Sequence, residues 1–235
     1  MYKYILWDID GTVLDFEAAE SQAIKFLFKK YNLGICTDEM IADYSKINVR
    51  YWQALERGEM TKPEILVGRF KEFFEYIGVD VSVAEAFNSD YQIALGDYVV
   101  FEDGAMDVLN DERNAVNADG IRKYRIIAVT NGTKVAQTKK LKTSGLATIF
   151  DAVYISEDVG VEKPNKEYFD ILFKKEGIAN LNEVVIIGDS LTSDILGGNN
   201  AGIDTIWYNK SKKVNDKGVS VTHEVQNLRE VADLV

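Results

Sequence analysis

Short apolar runs that end in polar residues are the feature that most constrains the fold of this 235-residue chain. Strands of a parallel sheet are buried on both faces and read as near-continuous hydrophobic runs. After about residue 98 such runs alternate with helical patterns, which predicts βαβ units. We therefore expect an α/β fold with a Rossmann-like, doubly wound parallel sheet. The predicted strands are Tyr4-Ile5-Leu6-Trp7, Ile126-Ile127-Ala128-Val129, Ala152-Val153-Tyr154-Ile155, Val184-Val185-Ile186-Ile187 and Thr205-Ile206-Trp207-Tyr208, and the predicted helices run over 133–144, 166–175, 192–201 and 224–234.

A long insertion interrupts this alternation. About 120 residues separate Asp10 from Thr130, whereas a crossover between parallel strands needs only about a dozen. Within the insertion, apolar residues recur at helical spacing in three sets and predict three or four amphipathic helices. The sequence thus predicts an all-helical domain at 17–97, inserted into a core of 1–16 and 98–235. The three sets are Ala23, Ile24, Leu27 and Tyr31; Ile65, Leu66, Phe70, Phe73 and Ile77; and Val83, Ala86, Phe87 and Tyr91.

Polar residues follow four of the predicted strands. Because the carboxyl ends of parallel strands meet at one edge of a sheet, where open α/β sheets bind ligands, these residues are expected to converge. Each run alone has a simpler interpretation, a core strand followed by ordinary turn residues. Their joint occurrence favours a functional site. The residues are Asp8 and Asp10 after the first strand, Thr130, Asn131 and Gly132 after the second, Lys163 beyond the third, and Asp189 with Asp194 after the fourth.

These residues resemble the four motifs of the haloacid dehalogenase superfamily of phosphohydrolases. Asp8-x-Asp10-Gly11-Thr12 is similar to the first motif, Thr130-Asn131 to the second, Lys163-Pro164 to the third and Gly188-Asp189-x-x-x-x-Asp194 to the fourth. The insertion also resembles the helical cap of the subfamily that carries its cap between the first two motifs. Within that subfamily, the segments 52–61 and 156–169 most resemble the house-cleaning pyrimidine 5'-nucleotidases.

The resemblance implies a Mg²⁺-dependent phosphomonoester hydrolase that works through an aspartyl-phosphate. Asp8 would be the nucleophile, and Asp10 would donate and accept protons. The implied metal ligands are the side chains of Asp8 and Asp189 and the Asp10 carbonyl, with Asp194 acting through water or another ligand. Clustered carboxylates repel one another, and Mg²⁺ suits their hard oxygens.

The remaining site residues would bind the phosphate or the leaving group. Lys163 and Thr130, with the N–H groups of Asn131 and Gly132, would neutralise the phosphoryl oxygens. Alternatively, Lys163 is a solvated surface lysine, and Thr130 is only the N-cap of a helix. In the predicted cap, Arg50 and Trp52 lie in a cluster of aromatic and polar residues suited to a nucleobase or sugar. That cluster is equally compatible with aromatic packing beside a surface arginine.

The expected partner is a small phosphate ester, a nucleoside monophosphate by the narrower resemblance. A phosphatase for phosphoglycolate or a sugar phosphate, and a sugar phosphomutase, share every core residue and remain open. A haloacid dehalogenase would share the Asp8 nucleophile but has no use for a proton donor at position 10, so Asp10 argues against that activity. A receiver-like, phospho-accepting signalling module lacks both a large cap and the Gly188-Asp189 element.

Bulk properties exclude several other classes. The net charge of −11 argues against a nucleic-acid partner. His223 is the only histidine and Cys36 the only cysteine, which removes Ser-His-Asp and histidine-rich zinc chemistry and excludes a disulfide framework. No run of eighteen apolar residues occurs, and no signal-peptide pattern is present, so we expect a cytoplasmic protein without membrane contact. The sequence does not specify an oligomeric state.

Overall fold

The computed structural model describes residues 1–235 and contains one six-stranded sheet in which every pairing is parallel. The strand order is β3-β2-β1-β4-β5-β6, the Rossmann order in which the chain changes direction beside the first strand. The predicted fold class is therefore confirmed. The strands are β1 (Tyr4–Trp7), β2 (Arg125–Thr130), β3 (Ala152–Ile155), β4 (Val184–Gly188), β5 (Asp204–Tyr208) and β6 (His223–Val225).

The central strand β1 explains why the apolar runs are continuous. Leu6 lies opposite Ile127 of β2 and Ile186 of β4. Successive side chains of a strand point to opposite faces, and each face packs into its own core. Ile5 and Trp7 belong to a cluster of 21 buried residues on one side, and Leu6 belongs to a cluster of 13 on the other. Every position of β1 after Tyr4 is therefore buried, and the run carries no polar residue.

Helices and short turns connect the strands of the core. Several begin where a polar side chain accepts a hydrogen bond from a free backbone N–H: Thr133 accepts from Ala136, and Asn165 accepts from Glu167. The core helices are α5 (Ala105–Asn114), α6 (Lys134–Ser144), α7 (Ser156–Val159), α8 (Lys166–Glu176) and α9 (Leu196–Ala201), the last preceded by a π-helical turn at Leu191–Ile195.

The predicted helix at 224–234 is wrong. The structure has strand β6 there, followed by a 3₁₀ helix at Leu228–Asp233. Asn227 separates the two, because its side chain and that of Glu230 form a capping box that starts the 3₁₀ helix. Leu228 and Val231 are buried three residues apart. A spacing of three fits a 3₁₀ helix as well as an α-helix, so the apolar pattern did not distinguish them.

Four further helices lie between β1 and β2. They share a separate core of 17 buried residues that is rich in aromatic side chains; the rings of Tyr44 and Phe70, for example, stack at 4.9 Å. Cys36 is buried in the turn between the first two helices, where it packs as a small apolar group. The helices are α1 (Phe16–Lys30), α2 (Asp38–Glu56), α3 (Lys62–Ile77) and α4 (Ala84–Ala94).

The two linkers between the helical insertion and the sheet domain run side by side. Leu14 and Phe101 form an antiparallel bridge. The Asp15 N–H donates to the Val100 carbonyl at 2.9 Å, and the Glu102 N–H donates to the Val13 carbonyl at 3.0 Å. The chain therefore leaves the core and returns to it through one short pair of hydrogen-bonded segments.

None of the helices combines the length and apolar character that crossing a membrane requires.

Candidate active site

The site lies where β1 and β4 end, at the point where the order of the sheet reverses. Asp8 directly follows β1, and its N–H donates to the Ile187 carbonyl of β4 at 2.9 Å. Asp189 directly follows β4. Gly11 makes the close approach of the two loops possible, because a Cβ there would lie 2.9 Å from the Asp189 carboxylate, and its φ of +90° disfavours other residues.

Three carboxylates meet at this edge. One oxygen each from Asp8, Asp189 and Asp194 lie within 4.8 Å of one another. Burial, reinforced by the charge of Asp194, raises the pKa of Asp189 to about 7 and that of Asp8 well above its usual range. The donor set consists of hard carboxylate oxygens without histidine or cysteine, which fits a divalent cation such as Mg²⁺.

Lys163 contacts two of these carboxylates. Its ammonium group donates to Asp8 Oδ1 at 2.7 Å, to Asp194 Oδ1 at 2.6 Å and to the Val129 carbonyl at 3.0 Å. Burial by itself lowers the pKa of this lysine, but Asp194 and Asp8 raise it overall above its usual range. The side chain therefore stays protonated in the folded protein and supplies a fixed positive charge at the base of the site.

Asn131 holds the main chain of Lys163 through both ends of its amide. Its Oδ1 accepts from the Lys163 N–H at 2.9 Å, and its Nδ2 donates to the Lys163 carbonyl at 2.8 Å. The neighbouring Thr130 is buried, and its Oγ1 accepts from the Gly132 N–H at 3.0 Å. The Thr130 hydroxyl donates no hydrogen bond within the chain, so its hydrogen is free to be donated to a ligand. Thr130, Asn131 and Gly132 line the cavity described below.

Asp10 is oriented by two residues of α6 that the sequence did not single out. Gln137 Nε2 donates to Asp10 Oδ2 at 2.6 Å, and the Lys140 ammonium pairs with Asp10 Oδ1. Both α6 side chains are buried. They lie three residues apart on the face that turns toward the sheet. Polar residues at core-facing positions of this helix were the sequence feature that could have identified them as site residues.

A cavity of about 480 Å³ opens above these residues, between the sheet edge and the helical insertion. Trp52 lines it, as do the α2 residues Asn48, Gln53 and Glu56. Arg50 does not. Arg50 and Trp52 are two residues apart on α2, so their side chains point about 200° apart around the helix axis. The Arg50 guanidinium turns outward and pairs with Glu72 of α3. The structure thus places Arg50 outside this cavity, whereas the sequence analysis expected it beside the substrate.

Glu56 and Lys62 also reach the site from the insertion, although sequence reasoning passed over both. Glu56 Oε2 is buried without a hydrogen-bond partner, and burial raises the pKa of this carboxyl to about 7. The Lys62 ammonium donates to the Asn131 carbonyl at 3.0 Å and to Ser156 Oγ at 2.6 Å, and it pairs with Glu162 at 3.1 Å. Glu56 is the last residue of α2 and Lys62 is the first residue of α3. Neither position in the sequence gave a sign of these long-range contacts.

The helical insertion is joined to α6 by a further polar contact. Gln92 of α4 accepts a hydrogen bond from Thr133 Oγ1 at 2.7 Å. Thr133 is the N-cap of α6, so the helix that orients Asp10 is also bound to the insertion.

Comparison with known proteins agrees with this geometry. Residues 5–208 match the family described as haloacid dehalogenase-like hydrolase. The putative HAD-hydrolase YfnB of Bacillus subtilis is 36% identical over 98% of this chain and 94% of its own length. Pyrimidine 5'-nucleotidase PynA of Streptococcus pneumoniae is 34% identical over 99% of this chain and 94% of its own. Pyrimidine 5'-nucleotidase YjjG of Escherichia coli is 31% identical over 100% and 98%.

Solved structures give the same result. The crystal structure of YfnB bound to magnesium superposes with a TM-score of 0.89 at 35% identity, covering 99% of this chain and 98% of that one. L-2-haloacid dehalogenase from Xanthobacter autotrophicus shares the fold, with a TM-score of 0.74 at 14% identity over 100% and 98% of the two chains. The chain belongs to the haloacid dehalogenase-like hydrolases.

Proposed function

We propose that this protein is a Mg²⁺-dependent phosphomonoester hydrolase that forms a phospho-Asp8 intermediate and acts on nucleoside 5'-monophosphates, pyrimidine ones in particular. The observation that carries the proposal is the position of Asp8 at the base of the cavity, beside Lys163 and within reach of Asp189 and Asp194. Two relatives that match nearly the whole chain are named pyrimidine 5'-nucleotidases, which supports the substrate class.

In the first step, a carboxylate oxygen of Asp8 attacks phosphorus and the ester P–O bond breaks. Asp10 gives its proton to the leaving alkoxide. In the second step, Asp10 takes a proton from water as that water attacks phosphorus, and the bond to Asp8 breaks, releasing inorganic phosphate. Gln137 and Lys140 hold the Asp10 carboxylate in one orientation through both steps.

Charge on the phosphoryl group is balanced by fixed groups of the chain. Lys163 supplies a buried positive charge, and the Thr130 hydroxyl is free to donate to a phosphoryl oxygen. Asp8 and Asp189, which cluster with Asp194, would hold Mg²⁺ together with the Asp10 carbonyl. The bound ion would supply further positive charge to the phosphoryl oxygens.

Choice of leaving group falls to the opposite wall of the cavity. We propose that 17–97 acts as a cap domain on a core of 1–16 and 98–235, and that the cap contacts the nucleoside through α2. Trp52 offers an aromatic surface for a base, while Asn48, Gln53 and Glu56 offer hydrogen-bonding groups for base or sugar.

A phosphate-ester panel assayed with Mg²⁺ tests the proposal. The panel should contain pyrimidine and purine nucleoside 5'-monophosphates, phosphoglycolate, sugar phosphates and p-nitrophenyl phosphate, with release of inorganic phosphate as the readout. We expect the pyrimidine nucleotides to have the highest kcat/KM. A strong preference for phosphoglycolate or sugar phosphates would reject the nucleotidase assignment but keep the hydrolase.

The Asp8→Asn variant tests the covalent step. We expect it to fold and to lose hydrolysis by more than about 1000-fold, because an amide is a far poorer nucleophile than a carboxylate. Normal turnover by this variant would reject the phospho-Asp8 intermediate.

Two outcomes with the unsubstituted protein would indicate a different function. Isomerised sugar phosphate without phosphate release would indicate a mutase, and phosphorylation that stops after one turnover would indicate a receiver-like module.

A further inference from the structure

The amide clamp that Asn131 places on Lys163 occurs a second time in the structure. Asn209 Oδ1 accepts from the Lys213 N–H at 2.8 Å, and Asn209 Nδ2 donates to the Lys213 carbonyl at 2.9 Å. Both asparagines are the first residue after a parallel strand, β2 for Asn131 and β5 for Asn209. The same geometry therefore fixes the main chain of one lysine on each side of the central strands.

The second clamp is anchored in the sheet domain. Asn209 is buried, and its Nδ2 also donates to Glu224 Oε1 of β6 at 2.7 Å, while its N–H donates to the Val225 carbonyl at 2.8 Å. Lys213 itself lies in an exposed loop. A buried side chain thus sets the backbone position of a surface lysine, which limits how far the lysine can move from the site.

Lys213 stands at the mouth of the active site. It lines the main cavity together with Asp8 and Asp189, and it lines the adjoining smaller cavity of about 180 Å³ as well.

Two other lysines of this loop form ion pairs, whereas Lys213 does not. Lys210 pairs with Glu102, and Lys217 pairs with Asp216. Neither a carboxylate partner nor a hydrogen bond from the ammonium group is present for Lys213. Its ammonium group, in the wall of the cavity, is therefore free to bind a ligand.

We propose that Lys213 is a second substrate-binding cation, held in place by Asn209, that attracts the phosphate dianion at the mouth of the site and contacts it in the bound complex. This inference rests on the proposed phosphohydrolase function. The net charge of −11 repels a dianion over most of the surface, and an unpaired cation beside the cavity offsets part of that repulsion where the substrate enters. Lys163 then acts at the base of the cavity and Lys213 at its entrance.

The test compares Lys213→Gln with Lys212→Gln and Lys213→Arg. Lys212 is the adjacent exposed lysine and lines neither cavity, so its substitution removes the same unit of charge without touching the site. For each protein, kcat and KM for p-nitrophenyl phosphate are measured with Mg²⁺ at low and high salt. The dissociation constant of inorganic phosphate is measured by titration calorimetry in the same buffer.

Lys213→Gln is expected to raise both KM and the phosphate dissociation constant about ten-fold, with kcat within about two-fold, which is the size of a lost hydrogen bond to a charged group. The difference from the unsubstituted protein should shrink at high salt. Lys213→Arg should restore most of the binding, and Lys212→Gln should stay within about two-fold of the unsubstituted protein.

Equal effects at positions 212 and 213 would overturn the proposal, because bulk charge alone would then explain them. A fall in kcat at unchanged KM and unchanged phosphate affinity would overturn it as well. If the unsubstituted protein hydrolyses no phosphate ester, the proposed function fails, and the calorimetric comparison still decides whether Lys213 binds phosphate.

Discussion

The indole N–H of Trp7 donates to Oε2 of Glu112 at 2.9 Å, in the interior between β1 and α5. The other oxygen of Glu112 has no partner. Burial raises the pKa of this carboxyl to about 8, and the hydrogen bond from Trp7 only partly opposes that rise. Residue 7 directly precedes Asp8, the proposed nucleophile, so this pair supports the strand end on which the site is built.

Glu112 makes stability depend on pH. Its pKa is raised in the folded state, so the folded chain binds more protons than the unfolded chain, and stability falls as pH rises from about 5 to 8. Glu112→Gln should flatten this dependence and raise the free energy of unfolding at pH 8 by about 1–3 kcal/mol. Urea unfolding at several pH values checks this. Glu75→Gln, an exposed change on α3, is the control, and an equal effect there would contradict the prediction.

Lys140 is a positioning residue for Asp10. Lys140→Met keeps most of the buried chain and removes the charge that holds the Asp10 carboxylate, so kcat should fall about 10- to 100-fold with little change in KM, as for lost general acid–base catalysis. Steady-state kinetics with p-nitrophenyl phosphate measure both constants. Lys139→Met is the matched control, since the adjacent Lys139 pairs with Asp97 instead. A change confined to KM would argue that Lys140 binds substrate.

Alanine variants of Gly11 and Gly34 distinguish the effect of backbone strain from the effect of crowding in the site. Their φ angles are +90° and +89°, so alanine at either position costs about 1 kcal/mol of stability. Only at Gly11 does the added Cβ meet the Asp189 carboxylate, at 2.9 Å; at Gly34 nothing lies within 4 Å. Gly11→Ala should therefore also lose at least about ten-fold in kcat/KM. Thermal unfolding and kinetics on both variants test this, and equal activities would show that the Asp189 loop yields freely.

Metal binding should stabilise the folded chain through the three carboxylates. A ligand present at 100 times its dissociation constant adds about 2.7 kcal/mol to the free energy of unfolding. Mg²⁺ should thus raise the Tm of the unsubstituted protein, and chelation should reverse the rise. Asp189→Asn should lose most of this response, because it removes one carboxylate of the cluster. Asp204→Asn, outside the cluster, is the control, and a full Mg²⁺ response in Asp189→Asn would place the ion elsewhere.

The sheet and the convergence of Asp8, Lys163, Asp189 and Asp194 followed from the sequence for a simple reason. A buried parallel strand has a recognisable composition, and its end fixes where the next side chains point. The helices of the insertion were equally visible, since their apolar spacing is regular.

Contacts between the insertion and the core were not visible in this way. Which face of α2 turns toward the sheet depends on how two separate cores pack. Arg50 and Trp52 were therefore equally good candidates from the sequence, but only Trp52 lines the cavity. Glu56 and Lys62 share this difficulty. Gln137 and Lys140 were missed because polar residues on a helix are ordinarily assigned to solvent. The carboxyl-terminal 3₁₀ helix was missed because its period is close to that of an α-helix.

The paired linkers at Leu14 and Phe101 make the helical insertion a module with a single attachment. A tight turn joining these two positions would leave all six strands uninterrupted. The sheet edge that carries the site could therefore be produced without the helical insertion. Grafting the four-helix module of another phosphatase at the same junction would then exchange substrate preference as one unit. The new helices would have to supply a hydrogen-bond acceptor for Thr133 in place of Gln92.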